Sequence, residues 1–183
     1  LETNQKLALQ FHQAPLGVIE WDRNFQVVQW NPAAEKIFGF SATEAMGQHA
    51  NFIISEAVRP SVGPILNALL AGTGGGNSVN ENVRKNGEII QCDWYNASLR
   101  DTSGEVVGVI SLVDDITSRK VAEDEIRNLA FYDHLTGLPN RRLLIDRVRQ
   151  AIATSTRSAQ HCALLFLDLD NFKTLNDTLG HDL

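Results

Sequence analysis

The chain has 183 residues, of which 43% are hydrophobic, and its 16 basic and 22 acidic residues give a formal net charge of -6. That length allows one or two domains with buried cores. The acidic, interspersed charge excludes a nucleic-acid surface or an anionic-membrane surface as the main theme, and the longest apolar run, residues 106–113, has the length of a strand and not of a membrane span. A start at Leu1, with neither methionine nor signal-peptide pattern, reads as an excised piece. Cys92 and Cys162 are isolated and form no Cys-x-x-Cys pair, which fits a reducing, cytoplasmic setting.

Residues 1–14 carry Leu7, Leu9 and Phe11 among polar neighbours and predict a short helical arm. Residues 16–21 alternate as a strand, and residues 25–30 repeat the pattern after an Asp22-Arg-Asn24 turn. Asn31-Pro32 then opens a helix: the asparagine can cap free N–H groups, and proline at the first helical position forfeits no bond. Ala34, Ile37 and Phe38 form its apolar stripe and Gly39 ends it, after which Ser41 and Glu44 make a capping box for a second short helix. Residues 59–71 give a longer helix with Val62, Ile65, Leu66, Leu69 and Leu70 on one side.

Residues 72–76, Gly-Thr-Gly-Gly-Gly, lack the Gly-Lys-Ser/Thr ending of a phosphate loop and follow no strand, so they read as a flexible connector. Strands follow at residues 78–85, 88–100 and 106–114, joined by an Asn86-Gly87 hairpin turn and a second turn at residues 101–104. The order of elements predicts an α+β fold, an antiparallel sheet with helices on one face.

Residues 30–35 (Trp-Asn-Pro-Ala-Ala-Glu), the Gly39-Phe40-Ser41 step, Asn86-Gly87 and the closing Asp115-Ile116-Thr117 occur together and in order. This set resembles the PAS family and implies a five-stranded antiparallel sheet with helices on one face over residues 15–117. Members of that family bind small ligands between sheet and helices, or dimerise and transmit. Strand parity puts Cys92, Trp94, Asn96 and Ser98 on one face. An indole and a carboxamide there can stack beside and hydrogen-bond a flavin or another planar heterocycle. The alternative is that Trp94 packs in the core and Asn96 satisfies a neighbouring backbone group. Flavin–cysteine photochemistry is not expected, because residues 41–71 contain no cysteine. Haem is not expected either: residues 59–71 contain no histidine, and His49, the remaining candidate, reads as a loop residue facing solvent.

Residues 118–135 form a signalling helix whose N-terminus Thr117 can cap, with Asp114 and Asp115 suited to its positive end. Ala122, Ile126, Leu129 and Asp133 are spaced 4, 3 and 4, the seam of a two-heptad coiled coil that would set the register of a parallel homodimer. The alternative is a linker helix that packs Ile126 and Leu129 back on its own sheet.

Residues 133–142 read Asp-His-Leu-Thr-Gly-Leu-Pro-Asn-Arg-Arg, a helix follows over residues 140–156, and residues 162–167 are an apolar run suited to a strand covered on both sides. Residues 166–182 then read Phe-Leu-Asp-Leu-Asp-Asn-Phe-Lys-Thr-Leu-Asn-Asp-Thr-Leu-Gly-His-Asp. These two separated motifs resemble the N-terminal part of the GGDEF family of diguanylate cyclases, so residues 136–183 are expected to be an incomplete α/β fragment of that domain. The resemblance implies a Mg²⁺ site that uses the Asp168 carboxylate and the Leu169 carbonyl. It further implies a GTP site with Asn171, Phe172 and Lys173 around the triphosphate and Asn176 on guanine. No Gly-Gly-Asp/Glu-Glu-Phe run occurs in residues 1–183. No turnover is therefore expected from this chain alone, and residues beyond about 155 are expected to lack pairing partners.

The function expected from the sequence is signal sensing for a cytoplasmic diguanylate cyclase that makes cyclic di-GMP from two GTP, with no nucleic-acid partner and no membrane segment. The alternative is a ligand-binding or dimerisation module beside a degenerate GTP-binding GGDEF domain that regulates a neighbour such as a cyclic di-GMP phosphodiesterase.

Overall fold

The computed structural model describes residues 9–158, 161, 163–168 and 170. The chain divides into two compact units, Leu1–Asp124 and Glu125–Leu183. Among the described residues no helix is long and apolar enough to cross a membrane.

The first unit is built on strands β1 (Gly17–Trp21), β2 (Val27–Trp30), β3 (Gly76–Val83), β4 (Ile89–Arg100) and β5 (Val106–Asp115). They form one antiparallel sheet in the order β2-β1-β5-β4-β3, so the first and last strands of the unit lie side by side at its centre. Helices α1 (Pro32–Phe38), α2 (Ala42–Ala45) and α3 (Arg59–Leu70) connect β2 to β3, with a 3₁₀ turn at Ala50–Phe52 before α3.

Local chemistry explains the element starts. Asn31, fully buried, caps α1 by accepting from Ala34 N at 2.9 Å. The same oxygen accepts from Val18 N at 2.9 Å, while its amide donates to the carbonyls of Phe11 and Leu16, so one side chain ties the N-terminal arm, β1 and α1 together. Ser41 and Glu44 form the capping box of α2. The sequence reading extends β2 back to residue 25. In the structure it starts at Val27, because Phe25 takes a left-handed backbone (φ 54°) and turns its ring into the core. Asp22 holds that turn, accepting from the amides of Asn24 and Gln26.

The glycine-rich stretch is not a loose connector. The amides of Thr73 and Gly74 both donate to Ala68 O and wrap the chain back over the end of α3. A Cβ at Gly74 would lie 2.7 Å from the Ala68 Cβ and 2.8 Å from its backbone, which is why only glycine fits. Ser98 on β4 pins the same helix end by donating to Leu69 O at 2.6 Å.

The core lies between sheet and helices. Trp94 stacks on Phe38 at 6.0 Å between ring centroids, and Phe38 meets Trp30 at 5.4 Å. Large side chains such as Ile19, Phe38, Ile53 and Leu69 are each buried to within 2% of completely, worth about 1.5–3 kcal/mol apiece against exposure.

The helix α4 (Thr117–Phe131) begins in the first unit and continues into the second, where a tight turn leads to α5 (Arg141–Ser158). Asp133 organises the turn by accepting from Leu135 N, Thr136 N and the Thr136 hydroxyl. These bonds, those from Thr136 first, hold its carboxyl below the ordinary value. Asn140 closes the turn: its amide donates to Ala130 O, and its oxygen caps α5 by accepting from Arg142 N and Leu143 N. Arg142 lies over the Phe131 ring at 5.4 Å. Ala163 to Asp168 carry no regular structure and are exposed, so the apolar run suited to a strand is unpaired among them.

Candidate functional site: a cavity between sheet and helices

The first unit encloses a cavity. Val62, Ile65, Leu66 and Leu69 of α3, with Ile53 and Ile54 before it, make its aliphatic wall. Ser78, Asn80 and Asn82 of β3, Trp94 and Asn96 of β4, and Ser111 of β5 make its polar wall. Trp21 and Phe25 close one end. The centre of a water-sized sphere can move through about 40 Å³ of it. One water needs about 10–15 Å³ by that measure, so the cavity has room for a few waters.

The parity argument placed Trp94 and Asn96 on one face, and both line the cavity. Trp94 also packs in the core and donates to Asn82 Oδ1 at 2.9 Å. Asn96 bonds a side chain, not the backbone: its Oδ1 accepts from the Ser111 hydroxyl at 2.7 Å. Cys92, on the same face, is fully buried but lies outside the lining. Burial pushes its thiol up to about 12, so it is a protonated, inert core residue near neutral pH. His49 is exposed, accepts from Asn51 N through Nδ1 at 3.2 Å and does not line the cavity. Among the described residues no histidine lines the cavity. The carboxamides suit the edge of a flavin, but three fused rings do not fit a space of a few waters with α3 where it stands.

The sequence reading missed Ser78, Asn80, Asn82 and Ser111. The signal was present on β3, where residues 78, 80 and 82 place polar side chains at a period of two on the face that packs inward. Partner identity was not legible, because Trp21 and Ser111 are 90 positions apart.

At the other end of the sheet, Arg84 ties the β3–β4 hairpin to the start of α4. Its guanidinium bonds Asp115 Oδ2 at 2.5 Å, and Asp115 Oδ1 accepts from both Thr117 N and the Thr117 hydroxyl. The cap of α4 thus comes from Asp115, two residues earlier than expected, since Thr117 already lies inside the helix. The Thr117 oxygen instead accepts from Gln91 N of β4 at 2.9 Å. Burial pushes the Asp115 carboxyl up, but the bonds from Thr117 and Arg84 outweigh it and hold the group below its ordinary value. On α4, which has no buried residue, Val121, Ile126 and Leu129 are 61%, 67% and 68% exposed. Asp133, the fourth position of the expected seam, lies beyond the helix and belongs to the turn.

Of the residues that the GGDEF resemblance assigns, Asp168 is described and exposed, whereas Leu169, Asn171, Phe172, Lys173 and Asn176 lie outside the described residues. A carboxylate is the right donor for Mg²⁺. Among the described residues, however, no three acidic, histidine or cysteine groups gather to hold a metal.

A sheet in this strand order, with a mixed-polarity cavity under its helices and a helix leaving its central strand, defines a sensor-type α+β domain. The chain belongs to the PAS fold family, whose model matches residues 5–116, and the model described as "Diguanylate cyclase, GGDEF domain" matches the C-terminal residues 130–183. Diguanylate cyclase DgcM of Escherichia coli is 30% identical over 172 residues, which is 93% of this chain and 41% of that protein. The bifunctional diguanylate cyclase/cyclic di-GMP phosphodiesterase MucR of Pseudomonas aeruginosa is 51% identical over 67 residues, 37% of this chain and 10% of that protein. The chain thus spans less than half the length of either relative. Among solved structures, the PAS domain of a Colwellia psychrerythraea protein superposes with a TM-score of 0.60 at 19% identity, over 64% of this chain and 99% of that one.

Proposed function

We propose that this chain is the sensing and transmitting segment of a cytoplasmic diguanylate cyclase, in which the PAS cavity senses a small molecule and α4 carries the signal to the GGDEF domain. Cyclising two GTP requires each 3′-hydroxyl to meet the other's α-phosphate. In the GGDEF family one domain holds one GTP, so two domains must face each other. A homodimer joined along α4 sets that approach, and a register change in it would permit or prevent the meeting. In the complete domain Asp168 and Leu169 would hold Mg²⁺, Asn171, Phe172 and Lys173 the triphosphate, and Asn176 the guanine.

The observation that carries this reading is that Ala122, Ile126 and Leu129, the first three positions of the expected seam, are exposed on a helix without a buried residue, the last two by more than 60%. Three such side chains on a short helix are a surface for another copy. The Arg84–Asp115–Thr117 cluster fixes the start of that helix to the sheet.

The test is sedimentation of the 183-residue chain against Ile126→Asp. A dimer for the first and a monomer of unchanged thermal stability for the second is expected; dimers of equal affinity would reject the seam. A second reading, in which a non-cyclising GGDEF domain regulates a phosphodiesterase, draws on the two activities in the name of the Pseudomonas relative. Asp168, Lys173 and Asn176 all being in place favours the cyclase. GTP binding without cyclic di-GMP by the full-length protein would favour the regulator.

A further inference from the structure

Helix α3 supplies much of the aliphatic wall of the cavity, yet its two halves are held differently. Beyond Pro64 the helix is fixed: Leu69 is 1% exposed, Ser98 Oγ donates to its carbonyl at 2.6 Å, and the amides of Thr73 and Gly74 close on Ala68 O. Ahead of the helix Ile53 is fixed as well. Its carbonyl accepts from Val83 N at 2.9 Å and from Asn82 Nδ2 at 2.8 Å, and Ile54 bridges to Asn82. Residues 55–63 lie between these anchors with little to hold them. Pro64 stands inside the helix without an amide, so the Pro60 carbonyl forgoes the bond that residue 64 would send it. Gly63, just before it, is a weak helix former. Val58 at the N-cap has no polar side chain to offer, and the first turn holds Arg59, not an acid, at the positive end of the helix. The ties from Arg59 to Asn51 O and to Glu56 are exposed, and such ties hold little. Ser55 Oγ is buried and, among the described residues, finds no hydrogen-bond partner. Among the described residues that line the cavity, Val62 alone belongs to this segment.

We propose that residues 55–63 are the lid of the cavity, turning on the Gly63-Pro64 step and carrying Val62 as its plug. This rests on the reading of the PAS cavity as the sensing site and names the way into it. Lifting the segment takes one side chain out of the wall and leaves Ile53, Ile54, Ile65, Leu66 and Leu69 where they are. The polar wall opposite keeps its bonds, so the cavity opens on its aliphatic side while the sheet stays intact.

The indoles of Trp21 and Trp94 also line the cavity, and their N–H groups donate to Ser111 Oγ and Asn82 Oδ1, each at 2.9 Å. Their exchange with D₂O, read by NMR on the ¹⁵N-labelled 183-residue chain, reports when water reaches the cavity. Both indoles are expected to share one opening equilibrium with the Val62 and Gly63 amides, to within about threefold. That equilibrium should stay flat in up to about 1 M urea, because a short segment exposes little surface. Amides of the β1–β5 ladder should be at least about tenfold better protected and should respond to urea. The double variant Gly63→Ala/Pro64→Ala continues the helix through the hinge, and a Cβ at residue 63 meets nothing within 4 Å beyond the helix's own backbone. It should slow both indoles at least about tenfold. Indoles that exchange only with the ladder amides, at the same urea response, overturn the lid on the wild-type chain alone, since the first turn then frays without opening the cavity. Indoles that open locally at a rate the double variant leaves unchanged overturn it too, because water then enters elsewhere. No ligand takes part in the measurement, so sensing is judged separately by binding. A working lid over a cavity that takes up no small molecule would refute the sensing reading and uphold the lid; ligand uptake with indoles locked to the ladder would do the reverse.

Discussion

Replacing Arg84 by methionine keeps the apolar stem and removes the charge that meets Asp115 at 2.5 Å. The two side chains are 29% and 19% exposed, so the pair lies between a surface ion pair, worth roughly 0–1 kcal/mol, and a buried one whose breaking costs about 3–5 kcal/mol. The second contact of Arg84, to Glu88 at 3.6 Å, is more open and adds little. Asp115 keeps its bonds from Thr117 in the variant, so the charge left behind is only partly stranded. The expected loss is about 1–2 kcal/mol, or about 5–10 °C in Tm for a domain of this size.

The pH dependence has a definite sign. The folded-state value of Asp115 lies below its unfolded value, so its contribution is complete above roughly pH 4 and is lost as pH falls through the folded value. Urea unfolding of the wild type and Arg84→Met at pH 7, 5 and 3 should show the same gap at the first two and a smaller gap at the third. Hydrogen exchange should show the first turn of α4, including the Lys120 amide, less protected in the variant. A gap under about 0.3 kcal/mol at pH 7, or one that persists undiminished at pH 3, would refute the argument that this ion pair anchors the helix.

Gly108→Ala should cost about 1–3 kcal/mol, since its Cβ would lie 2.4 Å from the Trp21 carbonyl and the β1–β5 ladder prevents either strand from retreating. Chemical denaturation measures it, and an unchanged midpoint would contradict the close approach. Cys92, with its thiol pushed up to about 12 by burial, should react with an aromatic disulfide reagent at pH 8 only as the first unit unfolds. Peptide mapping that finds rapid native labelling at Cys92 would show that the core opens there.

Local chemistry was legible in the sequence, and pairing at a distance was not. Asn31-Pro32 and the Ser41–Glu44 box read as helix starts because the bonds they make span three residues. Strand parity put Trp94 and Asn96 on one face because the period of two is local as well, but which face turns inward was not legible. The start of β2 was misread because Phe25 looks like a strand residue and only the tertiary demand for its ring in the core explains its left-handed turn. The glycine run was read as loose because its close approach to Ala68 depends on where α3 ends. The relay from Trp21 through Ser111 to Asn96, and the tie from Arg84 to Asp115, join residues that meet only once five strands have assembled. Those contacts decide which atoms face the cavity and where α4 begins.

In the proposed mechanism α4 links a PAS sensor to cyclase output through a dimer. The most direct measurement is cyclic di-GMP formed from GTP and Mg²⁺ by the full-length protein, wild type and Ile126→Asp side by side, with the 183-residue chain as reference. Product is expected from the wild type, at a rate at least about tenfold lower from the variant at equal folded fraction, and none from residues 1–183. A variant that cyclises at the wild-type rate, or product from residues 1–183 alone, would contradict that mechanism.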